Sequence, residues 1–277
     1  MGTSSASSGA SGKNPLIPSW IPGSDSPPDI DFPDDDNTDD SNDDENPESS
    51  PNRYTPARRQ LNDYVRSKGA KSDSLRSALK NYTRKGGGGS SAMARRMTPS
   101  SGRIVSFYTA INDIKNVGKD QALTVFKLSD YSDKPLLDVL SALTDVIFAD
   151  TDKSYEDTQD DSLTKQAYSN TINRIAELPG IDLDKLTDDQ IEVMTAIFIE
   201  ESIVQRVISD IGDKMEKITT DIDTLLALEG NIYQMVHGLV RNKILPEIKS
   251  VQKSKKSIEK QMENIYRIAF DSIEGII

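Results

Sequence analysis

Apolar residues are densest between Leu186 and Ile211, in the stretch LTDDQIEVMTAIFIEESIVQRVISDI. Ile191, Met194 and Phe198 share one helical face, and Val193, Ile197, Val204, Ile208 and Ile211 share a neighbouring one. A helix apolar over so much of its girth must be covered by other helices. Its start is marked as well. Thr187 and Gln190 stand at the spacing of a capping box, and Leu186 and Ile191 at that of a hydrophobic staple. The stretch is expected to be the central helix of an all-α body, a helical bundle spanning residues 100–277.

The flanking segments repeat the helical period. Upstream, Ile104, Phe107, Tyr108, Ile111 and Ile114 form one apolar face, and Ala122, Leu123, Val125 and Phe126 suggest a short helix after Gly118. Asp133 is placed to cap another, with Pro135 in its first turn and a face running from Leu136 to Ile147. After an acidic loop at 150–161, a further helix runs to Leu178. Downstream, Met215, Ile218, Ile222, Leu225, Ile232, Val236 and Leu239 continue a 3–4 repeat, and Ile244, Ile248, Val251, Ile258, Met262, Ile265 and Ala269 form a second. Two such helices are expected to make an antiparallel hairpin turning near Gly238 or Pro246. The seam of that hairpin either closes inside the bundle or serves self-association and partner docking through the C-terminal helices.

The first hundred residues differ. Residues 1–13 are small and polar, with too little apolar surface to offset the entropy of ordering. Pro15, Leu16, Ile17, Pro18, Trp20 and Ile21 then form an apolar island at 14–22, biased to an extended shape by its prolines and holding the one tryptophan of the chain. Such an island needs a surface to lie against: its own body or a partner. Residues 25–48 are almost entirely Asp, Asn, Ser, Pro and Glu, a composition that repels itself and stays extended. Residues 1–52 thus read as a disordered acidic tail. Residues 53–99 read as a basic Arg-, Gly- and Ser-rich block with short helices at 56–68 and 72–85, interrupted by Gly86 to Gly89.

Charge sharpens this division. The net charge of −12 conceals twelve acids against Lys13 in residues 1–52, then thirteen Lys and Arg against Asp63 and Asp73 in residues 53–103. Arg58, Arg59, Arg95 and Arg96 suit phosphate contacts, and Tyr54, Tyr64 and Tyr82 could stack on bases, so the block suggests an adaptor that presents nucleic acid to another protein. The other reading is a solvated or protein-facing surface that meets acidic segments of the chain itself.

Candidate chemistry is otherwise sparse. With no cysteine, disulfides, zinc–thiolate sites and thiol catalysis are excluded. Asp150, Asp152, Ser154, Glu156, Thr158 and Asp161 fall on the ligand places of a calcium loop. Tyr155 replaces the turn glycine, however, and Asp157 the usual apolar residue, so a solvated acidic loop is expected and no metal site is assigned. Asp34, Asp36 and Glu45 match that pattern less well, with Asp39 at the glycine place. Gly118–Lys119 is not a phosphate loop, since Asp113 and Asp120 stand where Gly and Ser or Thr belong. His237, the one histidine, sits among Met235, Val236 and Leu239 and reads as structural. No catalytic set and no cofactor site is assigned. The opening MGTSSASSGASGK has no apolar core of a secretory signal, Ala6 departs from a myristoylation signal, and no apolar run is long enough to span a bilayer, so a cytoplasmic location is expected.

One family fits these parts in this order. MGTSSASSGASG, the NPLIPSW island, the Asp-rich tract, the block ending ARRM, and LTDDQIEVM with IEESIVQRVISDIG resemble QatB, a component of the bacterial Qat antiphage defence system. The resemblance implies a non-catalytic, partner-dependent role alongside QatC, which is similar to the deazaguanine synthetase QueC, the ATPase QatA and the TatD-like nuclease QatD. It further implies that a QueC-like partner passes an activated deazaguanine carboxylate to a protein amine. Gly2, exposed once Met1 is trimmed, suits that role: its α-amine titrates near pH 7.7–8.0 and glycine has no Cβ to obstruct a narrow pocket. The alternative is that the tail is an unmodified spacer.

Overall fold

The computed structural model describes residues 52–149, 159–212, 219, 221–250 and 255–275. The acidic tail, the 14–22 island and Gly2 lie outside them, as do places 150–158 of the acidic loop. Among the described residues there is no strand, and the chain is all-α.

The centre is α9 (Asp188–Val207). Its start follows the sequence pattern. The Thr187 hydroxyl accepts from the Gln190 backbone N–H at 3.2 Å, and the Gln190 side chain accepts from the Thr187 N–H at 2.9 Å. Leu186 and Ile191 on either side of the cap are both buried. From Met194 to Val204 every residue is buried. The covering helices are α4 (Thr98–Val117) and α8 (Gln159–Glu177), with Phe107, Tyr168 and Phe198 meeting edge-to-face or tilted at ring separations of 5.4–5.9 Å. Lys115 on the last turn of α4 bonds Asp188 at the start of α9, while Arg206 at the end of α9 reaches the carbonyl of Arg96, just before α4. The two long helices therefore run antiparallel.

Two elements depart from the sequence pattern. The helix expected over 136–147 is two, α6 (Leu136–Ala142) and α7 (Thr144–Ile147), separated at Leu143, and Pro135 rather than Asp133 is the residue that precedes it. The short helix expected after Gly118 is present between α4 and α6 as α5 (Lys119–Val125). The expected turn at Gly238 or Pro246 does not form. Instead α10 (Ile222–Leu239) passes through a π turn, Val240–Ile244, into α11 (Leu245–Ser250) with no reversal. Proline has no N–H for the helical ladder and its ring crowds the preceding turn. The wider π turn immediately before Pro246 takes up that mismatch. The last helix, α12 (Lys255–Glu274), packs most on α3 and α4 and also against α10 and the π turn that continues it.

The basic block belongs to the same hydrophobic core. It comprises α1 (Thr55–Arg66), α2 (Ser72–Asn81), a π turn at Tyr82–Gly86, and α3 (Ser90–Arg96). Leu61, Leu79, Tyr82 and Met93 are fully buried. The glycine run is a packing feature. A Cβ on Gly86 would drive into the Tyr54 ring, and one on Gly87 into the Met93 side chain, whereas Gly89 needs its positive φ of 89° to open α3.

Candidate functional site

Polar side chains are concentrated along the second half of α9, where they would be costly to bury without partners. Glu200, Glu201, Ser202 and Arg206 are all less than 9% exposed, and Asp210 follows in the π turn Ile208–Gly212. Between them they contact α8, α10, α12 and the basic block.

At the end of α9, Asp210 gathers the basic block. The hydroxyls of Tyr54 and Tyr82 both donate to its Oδ2 at 2.9 Å, Arg96 lies 3.5 Å away, and Arg58 donates to the Asp210 carbonyl at 2.7 Å. Arg96 also bonds the Tyr54 hydroxyl. The Tyr54 and Tyr82 rings stack at 5.4 Å. Burial, reinforced by the Asp210 charge, raises the pKa of both phenols, that of Tyr82 well above its ordinary value. Both hydroxyls therefore remain protonated donors at neutral pH. One turn earlier Arg206 bonds Asp160 at 2.5 Å, and Ser202 shares a 2.6 Å bond with the buried Tyr266 of α12. A cavity of about 10 Å³, the size of one water, lies between Arg206, Asp160, Ser202, Ser100, Met97 and Leu163.

In the middle of α9, two buried carboxylates share one arginine. Arg174 of α8 bonds Glu201 at 2.8 Å and lies 3.0 Å from Glu200 Oε1, without the alignment of a hydrogen bond. His237 of α10 meets Glu200 Oε2 at 3.0 Å, and Asn170 donates to Glu201 at 3.3 Å. Burial raises the Glu201 pKa by more than Arg174 and Asn170 lower it. Arg174 also donates to the Tyr233 hydroxyl and lies 5.0 Å from the centre of its ring.

The arginines singled out in the sequence thus separate into two pairs. Arg58 and Arg96 turn inward to Asp210, while Arg59 and Arg95 are exposed. Tyr54, Tyr64 and Tyr82 are buried, so their rings offer no face to a base. Tyr64 accepts from Asn231 at 2.7 Å and thereby ties α1 to α10. Asp161, the last place of the calcium-like pattern, is buried between Arg103 at 3.3 Å and Lys165 at 2.8 Å. His237 meets the buried carboxylate of Glu200. The sequence pattern gave no sign of the Asp210 and Glu200–Glu201 clusters. Among the described residues no group of His, Asp and Glu is arranged to hold a metal, and no helix is long and apolar enough to cross a membrane.

The fold and these clusters define an all-α bundle whose buried charges hold its helices to one another. Residues 88–273 match the family model of QatB, the Qat anti-phage system associated protein, and the chain belongs to that family, so it is a component of an anti-phage defence system. The matched span covers α3 to α12 and includes the C-terminal helices, while the tail and most of the basic block precede it. No curated protein and no solved structure matches the chain.

Proposed function

We propose that this chain is a non-catalytic component of a Qat system, bound through its N-terminal tail by a QueC-like QatC and modified there. Membership of the QatB family carries the proposal. In it, Pro15, Leu16, Ile17, Pro18, Trp20 and Ile21 dock on the partner and the Gly2 amine enters the partner's active site. The partner activates a deazaguanine carboxylate with ATP as its adenylate. The neutral amine attacks the acyl carbon, AMP departs, an amide forms, and the amine proton passes to a base or to solvent. Docking raises the local concentration of the amine. From Trp20 to Gly2 the chain reaches about 60 Å when extended, enough to thread a deep pocket. QatA and QatD would act with the modified protein, in the cytoplasm of the bacterium.

The helical body supports the non-catalytic part of this reading. The charged groups buried along α9 are engaged in helix contacts, and two of the four arginines that suggested nucleic acid are held by Asp210. Co-expression with the QueC-like partner and affinity capture tests the docking. Trp20→Ala is expected to lose the partner while leaving the melting temperature of the free protein unchanged. Undiminished capture of the partner by Trp20→Ala would remove the island from the interface.

A further inference from the structure

The antiparallel pair α4 and α9 gives the body two ends of opposite charge. At the N-terminal end of α4 lies the basic block, whose residues 53–97 hold twelve Lys and Arg against Asp63 and Asp73. Arg58 and Arg96 are taken up by Asp210, and Arg84 faces Glu274 at 3.9 Å. Arg59, Arg66, Lys71, Lys85 and Arg95 are exposed and pair with no acid among the described residues.

At the other end are the last turn of α4, α5, the start of α6, the turn Leu183–Lys185 and the start of α9, brought together by Lys115–Asp188 and by Lys119–Asp184 at 2.9 Å, while α7 lies back along α4 beside Arg103. Residues 113–138 and 182–192 hold ten carboxylates against five lysines. Asp120, Asp130, Asp133 and Asp138 are exposed and make no salt bridge among the described residues, although Asp120 and Asp133 act at longer range on Lys119, and Lys127 and Lys134 are the exposed cations between them. Three large apolar side chains are also exposed at this end: Val125 at 71%, Val117 at 47% and Leu137 at 40%.

The two ends cannot neutralise each other within one body. The 20 residues of α4 separate them by about 30 Å, at 1.5 Å per residue. The screening length is about 8 Å at physiological salt. Among the described residues, therefore, neither end is neutralised by the other. We propose that copies of this chain associate end to end, the basic end of one against the acidic end of the next. A second copy answers both ends at once and covers the Val117, Val125 and Leu137 surface. A phosphate backbone would answer only the basic end, where the tyrosines that could stack on bases are buried. Such a contact joins unlike surfaces, so it propagates as a ring or an open filament rather than stopping at a symmetric dimer. The inference stands independently of any modification at Gly2.

Sedimentation velocity of the full chain tests it, between about 50 and 500 mM salt, where the screening length falls severalfold. Dimers and larger species are expected at low salt and monomer at high salt. A basic-end variant, Arg59→Glu with Lys71→Glu and Arg95→Glu, and an acidic-end variant, Asp120→Lys with Asp133→Lys and Asp138→Lys, should each be monomeric at low salt. Their unchanged circular dichroism would establish folding. Mixed together, the two variants should associate again, since the intact acidic end of one meets the intact basic end of the other. Val125→Ser should weaken wild-type association. Wild-type protein that stays monomeric at low salt, whatever occupies its basic end, overturns the proposal. So does a mixture of the two variants that remains unassociated. A labelled DNA duplex bound by monomeric wild-type protein and released by the basic-end variant would overturn it in favour of phosphate binding.

Discussion

Replacing Asp210 with alanine is the sharpest perturbation of the body. The carboxylate is 11% exposed and takes two phenolic hydrogen bonds and one guanidinium. Its loss leaves the fully buried Tyr82 hydroxyl without its acceptor and Arg96 without its carboxylate, while Tyr54 keeps a bond to Arg96. An orphaned buried hydroxyl costs about 1–3 kcal/mol, and breaking a buried charge pair about 3–5 kcal/mol. These losses overlap because the groups form one cluster, so a total of about 3–5 kcal/mol is expected. Urea unfolding followed by far-UV circular dichroism measures it. Two features separate this origin from general damage. Tyr82→Phe in the Asp210→Ala background should cost less than Tyr82→Phe alone, because the hydroxyl it deletes has already lost its acceptor. Hydrogen exchange should accelerate across α1 to α3 and not in the middle of α9, since the clamp holds the block to the helix end. A loss below about 1 kcal/mol, or full additivity of the two substitutions, would refute the clamp.

Other perturbations test other parts of the account. Ile197→Ala, at a position 7% exposed in the centre of α9, should cost about 2–5 kcal/mol in the same denaturation assay, and a shift under about 0.5 kcal/mol would show that α9 is not central. Gly87→Ala should destabilise by about 1–3 kcal/mol because its Cβ meets Met93, and Met93→Ala should relieve part of that penalty. Glu201 has a raised pKa in the fold, so its contribution to stability is complete below the ordinary glutamate value of about 4.3 and is lost as pH rises through the raised value. The stability difference between wild type and Glu201→Gln, measured across that window, should therefore move in favour of Gln as pH increases. Movement towards wild type would contradict the burial argument.

How much of this was legible follows from the range of each interaction. The capping box of Thr187 and Gln190 is three residues wide, so it could be read directly, and the girth of apolar positions on α9 required burial. The Asp210 clamp joins residues 128 and 156 positions apart, and periodicity is blind to such pairs. For the same reason Arg58 and Arg96 were visible as cations but not as helix anchors. The 3–4 repeat of Met262, Ile265 and Ala269 showed that one face of α12 is buried, not that α3 and α4 bury it. Pro246 signalled an interruption in the α-helical ladder, and a π turn satisfies that signal as well as a chain reversal does. The island and Gly2 were read from composition and family resemblance, and they lie outside the described residues and the matched span.

The central claim is that the tail carries the modification, and mass spectrometry of the N-terminal peptide tests it most directly. The full chain would be co-expressed with the QueC-like partner, once with an intact ATP site and once with that site disabled, and the defence phenotype scored in parallel. The account predicts a Gly2 amine acylated by a deazaguanine carboxylate only when the ATP site is intact, with Gly2→Pro abolishing the adduct and Ser4→Ala or Ser5→Ala leaving it in place. A free Gly2 amine in both samples, in cells whose defence is intact, would contradict it.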